Sequence, residues 1–305
     1  MTTPRLRRRG LARQEAIAFY LFLTPWALGF ILWTAGPMIA SIVLSFADYN
    51  VISPPKFIGL ANYAEIFQTS LFWHSLKVTA VYTVGATFFG VSGALLIATL
   101  LNLNLPWLSV WRTIYYLPVV TSGVAVALLW SWVLHPNFGL LNGFLWGLFR
   151  IRGPGWFFDE AWAVPSFILM HAWAVGGPML IYLAGMQGVP TELYDAAQID
   201  GANGLQRYRH ITLPMISPVI LFNTIMSIIA SFQVFTNAFV ITQGGPNYAS
   251  FFYVLYLYQN AFQYFRMGYA SALAWILFVI VLFFTLLIFR SSRSLVYYEA
   301  QGRGL

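Results

Sequence analysis

Charged residues cut this chain into long uncharged, mainly apolar stretches rather than the short periodic segments of a water-soluble domain. A helix needs about 20 mainly apolar residues to cross the hydrocarbon layer of a bilayer. That length, read between the charges, predicts helical spans near 17–45, 78–101, 112–134, 162–187, 216–241 and 267–289. Two further apolar stretches fall outside this set. The run 138–149 is too short to cross. The run 248–265 carries Gln259, Asn260 and Gln263 among many aromatic residues, which predicts a helix lying at the membrane interface. Six spans is the reading adopted, with five or seven as the alternatives. The fold class is all-α and integral to the membrane, with a basic N-terminus over 1–15, one transmembrane domain over 16–290 and a tail over 291–305.

Composition supports this solvent assignment. Of 305 residues, 59% are hydrophobic and 8% charged, against about 25% charged in a soluble domain. So few charges cannot coat a globule of this size. The net charge of +7 sits at segment ends, as in a membrane protein whose basic loops stay inside, and gives no reason to expect nucleic acid as a partner. The absence of Cys excludes disulfides, thiolate metal sites and a Cys nucleophile. The uncharged run 16–47 is far longer than the roughly 7–15 residues of a signal-peptide core, so it reads as an uncleaved first span.

Basic residues set the orientation. Arg5, Arg7, Arg8, Arg9 and Arg13 precede the first span, Arg112, Arg207 and Arg209 lie at later ends on the same side, and Arg290, Arg293 and Arg303 close the chain there. The opposite side has Lys56, Lys77, Arg150, Arg152 and Arg266, offset by Asp48, Glu65, Asp159 and Glu160. Both termini and the loop 190–214 are therefore expected in the cytoplasm, the chain being multi-pass in the membrane.

No Asp or Glu falls within a predicted span. Ion-coupled transporters often place carboxylates at mid-membrane to counter the charge they carry, although some sodium sites use backbone carbonyls. There is also no G-x-x-x-x-G-K-[ST] loop to cradle a nucleotide, so energy for uphill transport must arrive from another chain. His171 is the one ionisable group deep in a span. It reads as an imidazole hydrogen-bonded within the bundle or lining a wet cavity; a proton relay would need partners the sequence does not show. His74, His135 and His210 are too widely separated to indicate a metal cluster. Ala86, Gly90, Ala94 and Ala98 recur every fourth residue and form a small-residue face suited to close helix packing.

The loop 190–214 carries the densest signal. Pro190 and Thr191 read as a helix start with Thr191 the candidate N-cap, and Glu192 and Asp195 favour the first turn. Leu193, Ala196, Ala197 and Asp200 are helical neighbours, and Gly201 breaks the helix. A second helix near 203–212 would present Leu205, Tyr208 and Ile211 on one face, and Pro214 would stop it. On the residues alone this is equally an amphipathic loop covering the bundle or a docking element for another protein.

Asp195, Ala196 and Ala197, then Asp200, Gly201 and Ala202, then Ile211, Leu213 and Pro214 resemble the EAA loop of permease subunits in bacterial ABC importers, with Asp195 where that family most often has Glu. Further fragments resemble the carbohydrate-uptake branch, similar to maltose- and glycerol-phosphate-type permeases. These are 57–63 (FIGLANY), 112–118 (RTIYYLP), 139–142 (GLLN), 242–246 (TQGGP) and 268–272 (GYASA). The resemblance implies the type I ABC-importer permease architecture with six spans. It implies a chain that is not an enzyme and binds no cofactor. ATP and Mg would be used by two separate ATPase subunits docking on the 190–214 loop. The other implied partners are a second homologous permease and an extracytoplasmic solute-binding protein.

The implied mechanism is alternating access for a sugar or a related polyol or oligosaccharide, with glycerol 3-phosphate as an alternative cargo. Trp130, Trp173, Asn223, Gln233 and Asn237 are the candidate path residues. Aromatic faces stack on sugar rings and amides bond hydroxyls, while the tryptophans also suit interfacial anchoring and the amides interhelical bonds. Gln233 and Asn237, four apart, would share a helix face. The rival readings are a secondary transporter or facilitator without an ATPase, and a membrane-embedded enzyme. The first would be supported by a membrane carboxylate or an internal repeat, the second by acids or metal ligands clustered at one depth.

Overall fold

The computed structural model describes residues 5–103 and 106–292. Positions 1–4, 104–105 and 293–305, including Arg293 and Arg303, lie outside the described residues, as do the side chains of 5–12. In chain order the helices begin with α1 (Arg5–Phe30), which continues through a π-turn (Ile31–Ala35) into α2 (Gly36–Ser45). A two-stranded hairpin follows, β1 (Ala47–Asp48) and β2 (Lys56–Phe57), antiparallel with Ala47 opposite Phe57. Then come α3 (Ala61–Gln68), α4 (Ser70–Leu101), α5 (Leu108–Val120), α6 (Gly123–Val133), α7 (Leu140–Phe149), α8 (Ala163–Trp173) and α9 (Gly176–Gln187). The remainder is α10 (Thr191–Ile199), α11 (Gly204–Arg207), α12 (Leu213–Met215), α13 (Ser217–Phe232), α14 (Thr236–Ile241), α15 (Tyr253–Tyr258) and α16 (Met267–Ser291).

Four stretches are long and apolar enough to cross a membrane: Arg13–Ser45, Ser70–Leu101, Ser217–Ile241 and Met267–Ser291. Two bent pairs bring the number to six if each is counted as one span. The α5–α6 pair turns by 104° and the α8–α9 pair by 44°. The expected straight span over 112–134 is thus broken at Thr121 and Ser122. Thr121 closes the end of α5 by donating its hydroxyl to the carbonyls of Leu117 (2.9 Å) and Pro118 (3.1 Å). The break in the 162–187 span has a backbone cause: Pro178 has no N–H to donate, and its ring crowds the carbonyl of Ala174 four residues back.

The chain forms two compact units. The first comprises the described residues of 1–66 and 260–276. Here Asn62, buried, donates its amide to the carbonyls of Ser45 (2.9 Å) and Ala47 (3.0 Å). These lie where α2 ends, so the amide satisfies acceptors that the helix leaves open. Tyr63 donates to Ser45 Oγ at 2.8 Å. Arg266 forks onto both oxygens of Glu65 at 2.7 and 2.5 Å and lies 4.2 Å from the Tyr269 ring centroid.

The second unit comprises the described residues of 67–259 and 277–305. Its axis is α4. Ala86, Ala94 and Ala98 are fully buried and Gly90 is buried beside them, and α8, α9 and α13 pack on this helix. The small-residue stripe therefore sits at a helix crossing, where short side chains let backbones approach. Met179, Tyr182, Leu183 and Ile216 fill the core around Ala94 and Ala98. The 248–265 stretch departs from the interfacial helix expected. Phe251, Phe252 and Tyr253 are fully buried, the Tyr253 amide donates to Thr79 Oγ1 at 2.8 Å, and Phe252 packs edge-on against Tyr82 and Phe167. Phe252 and Tyr253 are thus packing groups for α4 and α8, whereas Tyr248, Phe262, Tyr264 and Phe265 stay exposed.

Where α5 meets α9, a Cβ on Gly176 would fall on the Tyr115 backbone, whereas one on the adjacent Gly177 would meet open space. Gly176→Ala should therefore destabilise the protein by about 1–3 kcal/mol, while Gly177→Ala should stabilise it by about 0.5–1 kcal/mol. Opposite shifts of the thermal unfolding midpoint in detergent are the expected outcome.

Candidate functional site

The 190–214 loop forms two helical pieces joined by a tight turn. Pro190, extended at ψ 131°, precedes α10 and takes the N-cap position; Thr191 is the first helical residue and makes no cap bond, so the Thr191 cap expected from sequence is corrected. Glu192 still lies in the first turn, where a carboxylate favours the helix dipole. At the other end the Ala202 amide donates to Ala197 O (2.9 Å) and the Gly201 amide to Gln198 O (3.1 Å). This pair of bonds closes a helix on a left-handed residue, and Gly201 supplies it at φ +79°. Asn203 then starts α11 through a reciprocal box: Gln206 N donates to Asn203 Oδ1 (2.9 Å), and Asn203 N to Gln206 Oε1 (2.7 Å).

The second piece differs from the helix expected near 203–212. After α11 it widens into a π-turn, Tyr208–Thr212. Leu205 is 76% exposed, while Tyr208 and Ile211 pack against the core around Ala98 and Ile216. Pro214 does not stop the segment. It occupies the first turn of α12, where its missing N–H costs no helical bond.

The loop thus has two sides. Leu193, Asp195, Ala196, Asp200 and Gly201 are exposed, as is Ile199 at 87%, and α10 has no buried residue. Ala197, Ala202, Ile211, Leu213 and Pro214 are half-buried. One polar tie joins the two pieces, Tyr194 Oη to Thr212 Oγ1 at 2.9 Å, and a second holds the loop to α4, Thr99 Oγ1 to Tyr208 Oη at 3.1 Å. Of these four, sequence reasoning named Tyr208 as a face residue of the second piece and missed Tyr194, Thr212 and Thr99. The available signal was that Tyr194 and Tyr208 are large, amphipathic and placed on the inner faces of the two pieces.

Within the membrane region a cavity of about 290 Å³ opens between α4, α8, α9 and α13, lined by Gly90, His171, Pro178, Asn223, Met226 and Ser227 among others. Asn223 is buried and donates its amide to Val219 O at 3.0 Å, which leaves its carbonyl oxygen as the side chain's acceptor. His171 packs edge-on to Tyr82 with 6.3 Å between ring centroids, in space that a Cβ at Gly90, 3.0 Å from Nε2, would close. Trp130 and Trp173 form an edge-to-face pair at 5.8 Å, with Trp130 Nε1 buried and unpartnered.

Gln233 and Asn237 do not share a helix face. The helix ends at Phe232 and restarts at Thr236, so four residues no longer make one turn. Gln233 is exposed and Asn237 half-buried. Beside them Phe235, Phe239 and Tyr258 form a three-ring cluster at 5.0–5.3 Å. The structure therefore places Asn223 and His171 in the lining of one cavity, brings Trp130 to Trp173, and separates Gln233 from Asn237 by a helix break.

A family model described as binding-protein-dependent transport system inner membrane component matches residues 86–296. The chain is 40% identical over 293 residues to the probable ABC transporter permease protein YesP of Bacillus subtilis (strain 168), covering 95% of this chain and 94% of that protein. It is 30% identical over 290 residues to the arabinooligosaccharides transport system permease protein AraP of the same organism, covering 94% and 92%. Among solved structures it matches a chain of a bacterial ABC transporter involved in the import of the acidic polysaccharide alginate. There the TM-score is 0.83 and the identity 25%, over 95% of this chain and 100% of that one.

The capping box yields a local test. Asn203→Ala removes a cap worth about 1 kcal/mol, so hydrogen exchange at the Gln206 amide should quicken about fivefold while α10 is unaffected.

Proposed function

This chain belongs to the family of binding-protein-dependent transport system inner membrane components, and from that premise we propose that it forms half of the path through which an ATP-driven importer moves a saccharide. The second half comes from a homologous permease, cargo is delivered by an extracytoplasmic solute-binding protein, and two separate ATPase subunits handle ATP and Mg. This chain holds neither. Family membership favours this reading over a facilitator or a membrane enzyme. Both termini and the 190–214 loop face the cytoplasm, in keeping with the arginines flanking those segments.

The observation that carries the proposal is α10, a helix with no buried residue that is nonetheless closed by the Gly201 turn, tied by Tyr194 to Thr212 in the second piece, and through that piece's Tyr208 to Thr99 on α4. A helix held rigidly with its outer face free is suited to seat in a cleft on a motor subunit. Asp195 and Ala196 face out with Leu193 and Ile199, and Ala196 allows close approach. The Gly201 turn and the two tyrosine ties make a push on α10 reach α4 and the start of α13. Nucleotide-driven closure of the motors thereby switches the path between inward- and outward-facing forms.

The path in this chain runs past the His171–Asn223 cavity and the Trp130–Trp173 pair. Imidazole, amide and hydroxyl groups suit sugar hydroxyls, and indole faces suit sugar C–H groups. The arabinooligosaccharide and alginate relatives support a carbohydrate cargo. No Arg or Lys is among the cavity-lining residues, which favours a neutral saccharide over glycerol 3-phosphate or an acidic one.

Genes beside this one should encode an ATPase, a second permease and a solute-binding protein, and a sugar screen against that binding protein would identify the cargo. In the reconstituted importer, Gly201→Val imposes a left-handed conformation costing about 1–2 kcal/mol on a side chain that resists it, and should abolish uptake or ATPase association. Normal uptake and association would refute the docking assignment. Asn223→Leu should lower uptake while leaving ATPase association and solute capture by the binding protein intact; unchanged uptake would remove the cavity from the path.

A further inference from the structure

The segment around α7 has no role in the function above. Its ten residues would reach about 15 Å, half of a hydrocarbon layer. Nine of the ten are apolar or Gly, none is buried, and Leu140, Phe144, Leu148 and Phe149 are each more than half exposed. The one polar residue, Asn142, is turned inward. It donates to the carbonyls of Pro136 (3.0 Å) and Pro154 (3.2 Å) and accepts from Trp156 Nε1 (2.7 Å). A helix that is apolar on its outside and lies between two membrane-crossing elements has lipid as its solvent.

Its C-terminal end carries the charge. The guanidinium carbons of Arg150 and Arg152 lie 5.8 and 5.9 Å from the centroid of the Trp146 ring. Both side chains are exposed, and among the described residues neither has an ion-pair partner. Arg150 holds φ +55°, a left-handed conformation that Gly or Asn adopts more readily, so the charge occupies a position where backbone geometry alone would prefer another residue. Beside it a cavity of about 540 Å³ is lined by Asn137, Trp146, Arg152, Gly153, Pro154 and Gly155, among others. Two cations on one indole repel each other, and an anion between them relieves that repulsion.

We propose that α7 lies in the membrane interface and that Arg150, Arg152 and Trp146 bind the phosphate of an anionic phospholipid headgroup, whose acyl chains cover the apolar face of the helix. Three features select lipid as the occupant: an apolar helix too short to span, an indole at its polar end, where tryptophan prefers the headgroup level, and paired guanidiniums that match phosphate oxygens. The inference rests on the chain being membrane-embedded and is independent of the cargo.

The test is native mass spectrometry of the full chain in detergent, titrated separately with phosphatidylglycerol, phosphatidylcholine and inorganic phosphate. Wild type should retain phosphatidylglycerol in preference to phosphatidylcholine. Arg150→Gln and Arg152→Gln should each weaken that retention about fivefold, and together about 25-fold. The double Arg→Lys variant should keep part of it, and phosphatidylcholine retention should not change, which also reports an intact fold. Equal phosphatidylglycerol retention by wild type and the double Gln variant would overturn the proposal. Displacement of phosphatidylglycerol by inorganic phosphate at equal concentration would overturn the lipid assignment. So would a double variant that keeps phosphatidylglycerol but no longer captures the solute-binding protein, since the arginines would then serve a protein partner.

Discussion

Within hydrocarbon, apolar side chains gain nothing by leaving one solvent for another like it, so helices associate through close packing and hydrogen bonds. In the second unit of this chain that requirement is met along one face of α4. Ala86, Gly90, Ala94 and Ala98 carry almost no side chain, and α8, α9 and α13 come to rest against this helix. The same face makes the functional geometry possible. Gly90 leaves room for the His171 ring, so the packing seam also holds a polar-lined cavity. Farther along α4, Thr99 bonds Tyr208, which links the loop after α9 to the same helix.

In that loop Tyr208 and Ile211 pack on the core, while polar bonds shape the exposed helix α10. None of α10 is buried, so burial contributes little to its position. Its shape comes instead from satisfied backbone groups: the carbonyls of Ala197 and Gln198 at its end and the reciprocal Asn203–Gln206 bonds that start the next helix. Such a segment can present a free surface and still transmit force, because its geometry is set by covalent turn constraints and short hydrogen bonds.

The places where sequence reasoning departed from the structure share a physical cause. Periodicity predicts which residues share a face only while a helix stays regular. Gln233 and Asn237 lost their common face to a break at Val234 and Phe235, and the regular helix expected near 203–212 gives way to a π-turn at Tyr208–Thr212. No Gly or Pro lies within either interruption to announce it in the sequence. The aromatic run 251–253 shows a related failure. Aromatic richness suits a membrane interface and a packed core equally well, and only the position of Thr79, Tyr82 and Phe167 decides for the core.

Membrane location, the all-α class and the family were legible in the sequence, because they depend on quantities that accumulate along the chain: apolar length between charges, and an ordered series of short motifs. The Gly201 turn was legible too, since a left-handed position tolerates few other residues. Tertiary structure alone decided which side of the 190–214 loop faces out, which tyrosines tie it down, that Asn223 and His171 line one cavity, and that Trp130 meets Trp173. Those pairings join residues distant in the chain and hang on bend angles of 104° and 44°. Pro178 and Thr121 mark where the helices break, but the angle at each break depends on the helices packed around it.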